Sequence, residues 1–176
     1  MNLLREVRTL GRYLLGKKSE VEDLDVKDVV MAKAILDIHR SRIRKERITV
    51  PLFALRRIHR LDRENAIAAT QQRVEALTAH KDELLRDGAL TCDTLAAVLP
   101  SVSWIKGVRK GPNEILAFEG NGRIAAMHAV FGPEDGMKVE IEEYVCGNPA
   151  KIIRRLDRVR RMNGLIDDPV PGDWRR

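Results

Sequence analysis

The chain predicts an α+β domain. Its first half carries helical stripes, its second half carries short β-prone runs, and a glycine turn joins a strand to a helix. Apolar residues at three- and four-residue spacing fill the segment up to Pro100. From Val102 to Val145 the pattern changes to short apolar or alternating runs bounded by Gly, Pro and Asn. No internal repeat or low-complexity linker divides the 176 residues, a length that suits one domain with a full core.

The elements follow in order. Leu3, Leu4, Val7, Leu10 and Leu14 share a helical face with Arg5 and Arg12 opposite, and Gly16 ends that helix. Such a basic amphipathic helix suits packing on its own domain or an oligomer; docking on a membrane surface or transport component is the sharper alternative. Asp25 can cap a second helix with face Val29, Ala32, Leu36 and Ile43. Its far end carries Arg40, Arg42, Arg44, Lys45 and Arg47, charge that suits a helix C-terminus. Ile48 to Pro51 reads as a short strand, so residues 1–47 are expected as a helical N-terminal extension, 48–164 as the core domain and 165–176 as a tail. Asp62 as N-cap opens a long helix with Ile67, Val74, Leu77 and Leu84 on one stripe, ended at Asp87-Gly88 by a left-handed glycine. A short helix follows and stops at Pro100.

Val102–Lys106 and Glu114–Phe118 read as strands joined across Gly111-Pro112-Asn113. Ile124, Met127, Ala129 and Val130 mark a helix directly after Gly120 and Gly122, closed by Gly132-Pro133. Lys138–Val145 alternates, with Val139, Ile141 and Val145 on one face and Glu140, Glu142 and Tyr144 on the other. A final amphipathic helix, Ala150–Met162, ends at Asn163-Gly164. The whole predicts a small sheet behind a helical extension.

Composition narrows the partners. Hydrophobic residues at 44% and charged residues at 33% exclude a disordered chain, and aromatics at 4% leave few platforms for unpaired bases. A formal charge of +6 and pI near 9.6 favour polyanions: nucleic acid, nucleotides or acidic membrane surfaces. Cys92 and Cys146 offer neither metal spacing nor a disulfide framework, which suits reduced thiols in the cytosol. Arginines interrupt the first apolar run, so it does not read as a signal peptide, and no stretch is apolar enough to span a bilayer.

The chemistry concentrates at Gly120-Asn121-Gly122-Arg123. Glycines allow a tight strand-to-helix turn and close approach of a ligand to the backbone. Amides of the first helical turn then face that ligand, aided by the helix dipole. Arg123 adds a permanently charged fork suited to phosphate oxygens.

These residues resemble the nucleotide-binding core of the ParB/sulfiredoxin superfamily. The likeness rests on Trp104-Ile105-Lys106-Gly107, a hairpin, and Phe118-x-Gly120-x-x-Arg123-x-Ala125-Ala126. Ile48-Thr49-Val50-Pro51-Leu52-Phe53-Ala54-Leu55 also resembles that family's first strand, and the likeness runs from Ile48 to Val145. It implies a small mixed sheet with flanking helices and a triphosphate held by Gly120–Arg123. Sulfiredoxins carry a catalytic cysteine and a histidine in this turn. Asn121 and Gly122 stand there here, so that thiol chemistry is excluded. ParB proteins carry consecutive arginines where this chain has Arg123 alone.

What remains is similar to the small plasmid-borne, oncogenic-suppressive branch of the superfamily. That likeness implies binding of ATP, ATPase and DNase activity, and fertility inhibition, the blocking of DNA transfer through a conjugation-type (type IV) secretion channel. A cytoplasmic bacterial protein, at most peripheral to the inner membrane, fits it.

Glu119 lies at the end of the strand before the turn. It suits a water-positioning base or a magnesium ligand, or else a structural partner of the turn or of Arg123. Glu140 and Glu142 could complete a metal site, or belong to a solvated sheet face. Leu77 to Leu85 resembles the family helix that presents a lysine to the nucleotide, which nominates Lys81, with His80 as its equal. His39, His59 and His128 suggest structural or surface roles. In the last helix Lys151, Arg154, Arg155, Arg158 and Arg161 crowd the side opposite Ile152, Ile153, Leu156 and Val159, relieved only by Asp157. Clustered arginine is the footprint of DNA or RNA backbone binding, with an acidic protein as the alternative. The expected function is therefore an ATP-binding, DNA-interacting ATPase and DNase. The rival is a non-enzymatic basic protein that occludes a secretion or DNA partner.

Overall fold

The computed structural model describes residues 26–99 and 103–165. The helix expected over Leu3–Leu14 and the tail after Leu165 lie outside the described residues. Among these residues six strands form one mixed sheet with six α-helices around it. The strands are β1 (Arg42–Pro51), β2 (Leu55–Arg57), β3 (Ala89–Leu90), β4 (Lys106–Gly111), β5 (Glu114–Glu119) and β6 (Lys138–Cys146). The helices are α1 (Val26–Ser41), α2 (Glu64–Ala79), α3 (Lys81–Asp87), α4 (Cys92–Val98), α5 (Asn121–Val130) and α6 (Pro149–Met162). The sheet order is β1-β6-β4-β5-β2, with β3 also on β6. Pairs β1–β6 and β4–β5 are antiparallel; β4–β6, β2–β5 and β3–β6 are parallel.

Period-two alternation sends side chains to two separate cores. On β5, Ile115 and Ala117 join one core while Leu116 and Phe118 join the other. Beta strand β6 likewise sends Val139 and Ile141 one way and Tyr144 and Cys146 the other. The first core is closed by α2 to α5 through Leu77, Leu84, Leu95, Ile124 and Met127. The second is closed by α1 and α6 through Ala34, Ile38, Ile152, Leu156 and Val159. The sheet is thus the middle of three layers.

This arrangement corrects several sequence expectations. The face of β6 with Glu140, Glu142 and Tyr144 is not a solvated one. Glu142 and Tyr144 are buried, as is Glu143. Glu142 accepts from Lys45 Nζ at 3.1 Å, Arg109 forks onto Glu143 at 2.7 and 2.9 Å, and Tyr144 packs edge-on against Phe118. Paired carboxylates can be buried, and pattern alone does not reveal the pairing.

The basic run Arg42–Arg47 is strand, not the end of a helix; α1 stops at Ser41. The expected boundary at Ile48 falls inside β1, and α1 packs into the same core as α6. Its core-facing residues are Val30, Met31, Ala34, Ile35 and Ile38, not Val29, Ala32 and Leu36, because an unbroken apolar run leaves the face ambiguous. The long helix expected over 62–87 breaks at His80 into α2 and α3. Arg63 takes the N-cap position, while Asp62 pairs with Lys27 at 2.6 Å. Gly88 stops α3 at φ +68°, as the sequence predicts. The first hairpin strand begins at Lys106, where the sequence pattern ended it, and the tight turn is Pro112-Asn113. Among the described residues no helix is long and apolar enough to cross a membrane.

Candidate functional site: a basic cleft at the start of α5

Strand β5 delivers Glu119 to the sheet end and Gly120 turns the chain into α5. Gly120 has φ +91°, and a Cβ there would lie 2.8 Å from Ile105 Cγ1, so only glycine fits without strain. Its carbonyl accepts the amides of Arg123 and Ile124 at 3.0 Å each. The amides of Asn121 and Gly122 have no backbone acceptor among the described residues. Both residues line a cleft of about 470 Å³, walled on its other side by Ala66, Ala69, Thr70 and Arg73 of α2. Gly122 permits that closeness: a Cβ on it would meet Thr70 Oγ1 at 3.1 Å and Arg73 Nη1 at 3.4 Å.

The turn's side chains divide their work differently from the sequence expectation. Asn121 is 3% exposed and turned into the fold. Its Oδ1 accepts the Ile58 amide at 2.8 Å and its Nδ2 donates to the Ala117 carbonyl at 3.2 Å. Only its backbone remains for a ligand. Arg123 is 7% exposed and donates to the carbonyls of Ser103 and Trp104. Its charge therefore sits at the floor of the cleft, not as a mobile finger. Burial, and then the positive charge of Arg73, lower its pKa below the usual arginine value.

Arg73 is the residue sequence reasoning missed. Its Nε is buried without a hydrogen-bond partner among the described residues, and burial lowers its pKa as well. The signal was faint: Ala66, Ala69, Thr70 and Arg73 recur at helical spacing, a small-residue stripe ending in one arginine.

Glu119 lines the cleft and its carboxylate is held by Lys106 Nζ at 2.7 Å, not by Arg123. Lys106 lies in register between Glu119 on β5 and Glu142 on β6. Glu140 accepts the Cys92 amide at 3.3 Å and Glu142 is taken by Lys45, so neither joins Glu119. Among the described residues no three His, Cys, Asp or Glu side chains are grouped to hold a metal. A magnesium ion arriving on a triphosphate needs less, since it keeps several waters and uses one or two carboxylates besides phosphate oxygens. Among the described residues Glu119 is the carboxylate that lines the cleft.

Lys81 is not brought to the turn. It begins α3, pairs with Asp135 at 3.8 Å and lies over the Phe131 ring, past the far end of α5. Ten helical residues separate that end from Gly120, about 15 Å of rise. His80 contacts Glu83. Of the other histidines, His59 lines the cleft, His128 stacks on Phe53, and His39 packs edge-on against Phe118 and Tyr144.

The basic helix separates into two sets. Arg155 is ion-paired with Asp37, and the buried Arg160, absent from the sequence reading, donates to the carbonyls of Arg57 and Leu165. Lys151, Arg154, Arg158 and Arg161 are exposed at three- and four-residue spacing, with no ion pair among the described residues.

No protein-family model, curated protein or solved structure matches the chain. Fold and site together describe an α+β protein with a basic cleft at a strand-to-helix turn.

Proposed function

We propose that the cleft binds the phosphates of a nucleotide, ATP by resemblance to the plasmid-borne Osa-type members of the ParB/sulfiredoxin superfamily, and that the outer face of α6 holds the DNA backbone. The observation that carries the first half is the Arg73–Arg123 pair. Two guanidinium groups face one small cleft, while the one carboxylate lining it among the described residues, Glu119, is paired with Lys106. Like charges at partly buried sites are costly unless an anion joins them. A phosphate chain supplies that anion and satisfies the amides of Asn121 and Gly122.

In the enzymatic reading Glu119 orients a water toward the terminal phosphorus. The water oxygen forms the new P–O bond, the bond to the leaving diphosphate breaks, and the proton passes to the carboxylate. Arg73 and Arg123 stabilise the charge on the phosphate oxygens. Glu119 would be the protein ligand for a magnesium ion carried in on the triphosphate, and that ion would supply charge neutralisation at the phosphates. DNA hydrolysis at the same carboxylate would form the new bond from water to a backbone phosphorus and break the bond to a sugar oxygen, which leaves with a proton, and the biological outcome implied by the resemblance is restriction of DNA transfer through a secretion channel.

A specific observation favours the rival, a non-enzymatic protein that occludes its partner: the 2.7 Å contact to Lys106 ties up the base. Glu119→Ala separates the two. Under the enzymatic reading hydrolysis falls at least a hundredfold while nucleotide and DNA binding persist, within the range of a lost general base. Turnover unchanged by the substitution removes Glu119 from the mechanism, and absent turnover in the parent protein leaves only the occluding role. The binding claim itself is tested by calorimetric titration with ATP, CTP and GTP, with and without magnesium. No heat with any of them removes the nucleotide site.

A further inference from the structure

The outward cations of α6 have a second row beside them. Helices α1 and α6 pack antiparallel over the sheet: the Gly147 amide donates to the Ser41 carbonyl at 2.9 Å, and Asp37 of α1 pairs with Arg155 of α6. The carboxylates on these two helices are Asp28, Asp37 and Asp157. Each is engaged: Asp28 by Arg63 at 2.9 Å, Asp37 by Arg155, and Asp157 by Lys110 at 3.2 Å. Lys33 and Arg40, one heptad apart on α1, are exposed and have no ion pair among the described residues.

We infer that the paired outer faces of α1 and α6 form one platform for a phosphodiester backbone, with Lys33 and Arg40 completing the row Lys151, Arg154, Arg158 and Arg161. This rests on the nucleic-acid reading of α6 given above and adds α1 to it. Neighbouring packed helices run 8–10 Å apart, so both rows act within about one Debye length of each other at physiological salt. Six cations without carboxylate partners among the described residues, on two helices that share one core, suit a ligand of regularly repeated negative charge.

The test is the salt dependence of binding to short fluorescein-labelled duplexes of scrambled sequence, read by anisotropy with the full chain. Each lost phosphate contact lowers the slope of log affinity against log salt by about 0.9. Lys33→Gln with Arg40→Gln should therefore lower the slope by nearly 2, equally for all sequences. Arg154→Gln with Arg158→Gln should do the same. Arg86→Gln with Lys138→Gln, which removes equal charge away from both helices, should leave the slope within error. If the α6 variant loses affinity and the α1 variant matches the parent, the platform is wrong and the α6 reading stands. If the parent binds no duplex, or the α6 variant is unaffected, the nucleic-acid reading falls with it. An effect of the control equal to that of the α1 variant would reduce the whole to net charge and overturn the platform.

Discussion

Arg73 sets the character of the cleft at the scale of one residue. Its buried Nε lacks a partner among the described residues and its charge opposes that of Arg123. Arg73→Met should stabilise the unliganded protein by about 1 kcal/mol, because an unsatisfied buried donor is removed. The same change should weaken nucleotide binding at least tenfold, read by calorimetry. A variant that is less stable yet binds normally would show Arg73 to be a packing residue. Asn121 makes the opposite case. Its amide group joins Ile58, just past β2, to β5, so Asn121→Leu should cost roughly 1–3 kcal/mol in urea unfolding, the range for stranding buried polar partners. His39 gives a titration test. Burial, then Arg42 and Lys106, lower its pKa from 6.5. A histidine with a depressed folded pKa takes up its proton sooner in the unfolded chain. Stability is then full above the unfolded value and declines as pH falls below about 6.5. Melting curves across that window should show the decline in the parent protein and a flatter profile in His39→Gln.

Elements are held by contacts that charge patterning alone conceals. Helix α6 reads as an arginine-rich surface, yet Arg155 and Arg160 belong to the architecture. Arg160 is 6% exposed and binds the carbonyls of Arg57 and Leu165, so Arg160→Met should destabilise by roughly 2 kcal/mol. The Asp37–Arg155 pair is partly solvated, and a double-mutant cycle should return no more than about 1 kcal/mol of coupling. Helix α5 shows why its slim Ala125-Ala126 matters: both are buried, which lets the helix lie close to the sheet with its start beside the cleft. Gly120→Ala should cost more than about 1 kcal/mol, since a left-handed alanine is strained and the new methyl meets Ile105. A neutral result in thermal unfolding would mean the turn can relax.

At the scale of the whole molecule, the α+β class, most element positions and the strand-turn-helix at Gly120 are legible in the chain. Local rules suffice for them: Gly88 stops a helix, and glycines admit a turn at φ +91°. The two-sided burial of the sheet was not legible. Glu142 and Glu143 look solvated until Lys45 and Arg109, distant in sequence, arrive to pair with them. Nor was the break at His80, because Leu77 and Leu84 keep one stripe across it. The cleft divides along the same line. A phosphate-compatible turn follows from glycine backbone freedom and a helix N-terminus, which are properties of a few adjacent residues. Its second arginine, the loss of Asn121 to the fold, the capture of Glu119 by Lys106 and the exclusion of Lys81 come from long-range packing. Local conformation depends on neighbours along the chain, whereas charge pairing depends on neighbours in space, and these are assembled only when the layers close.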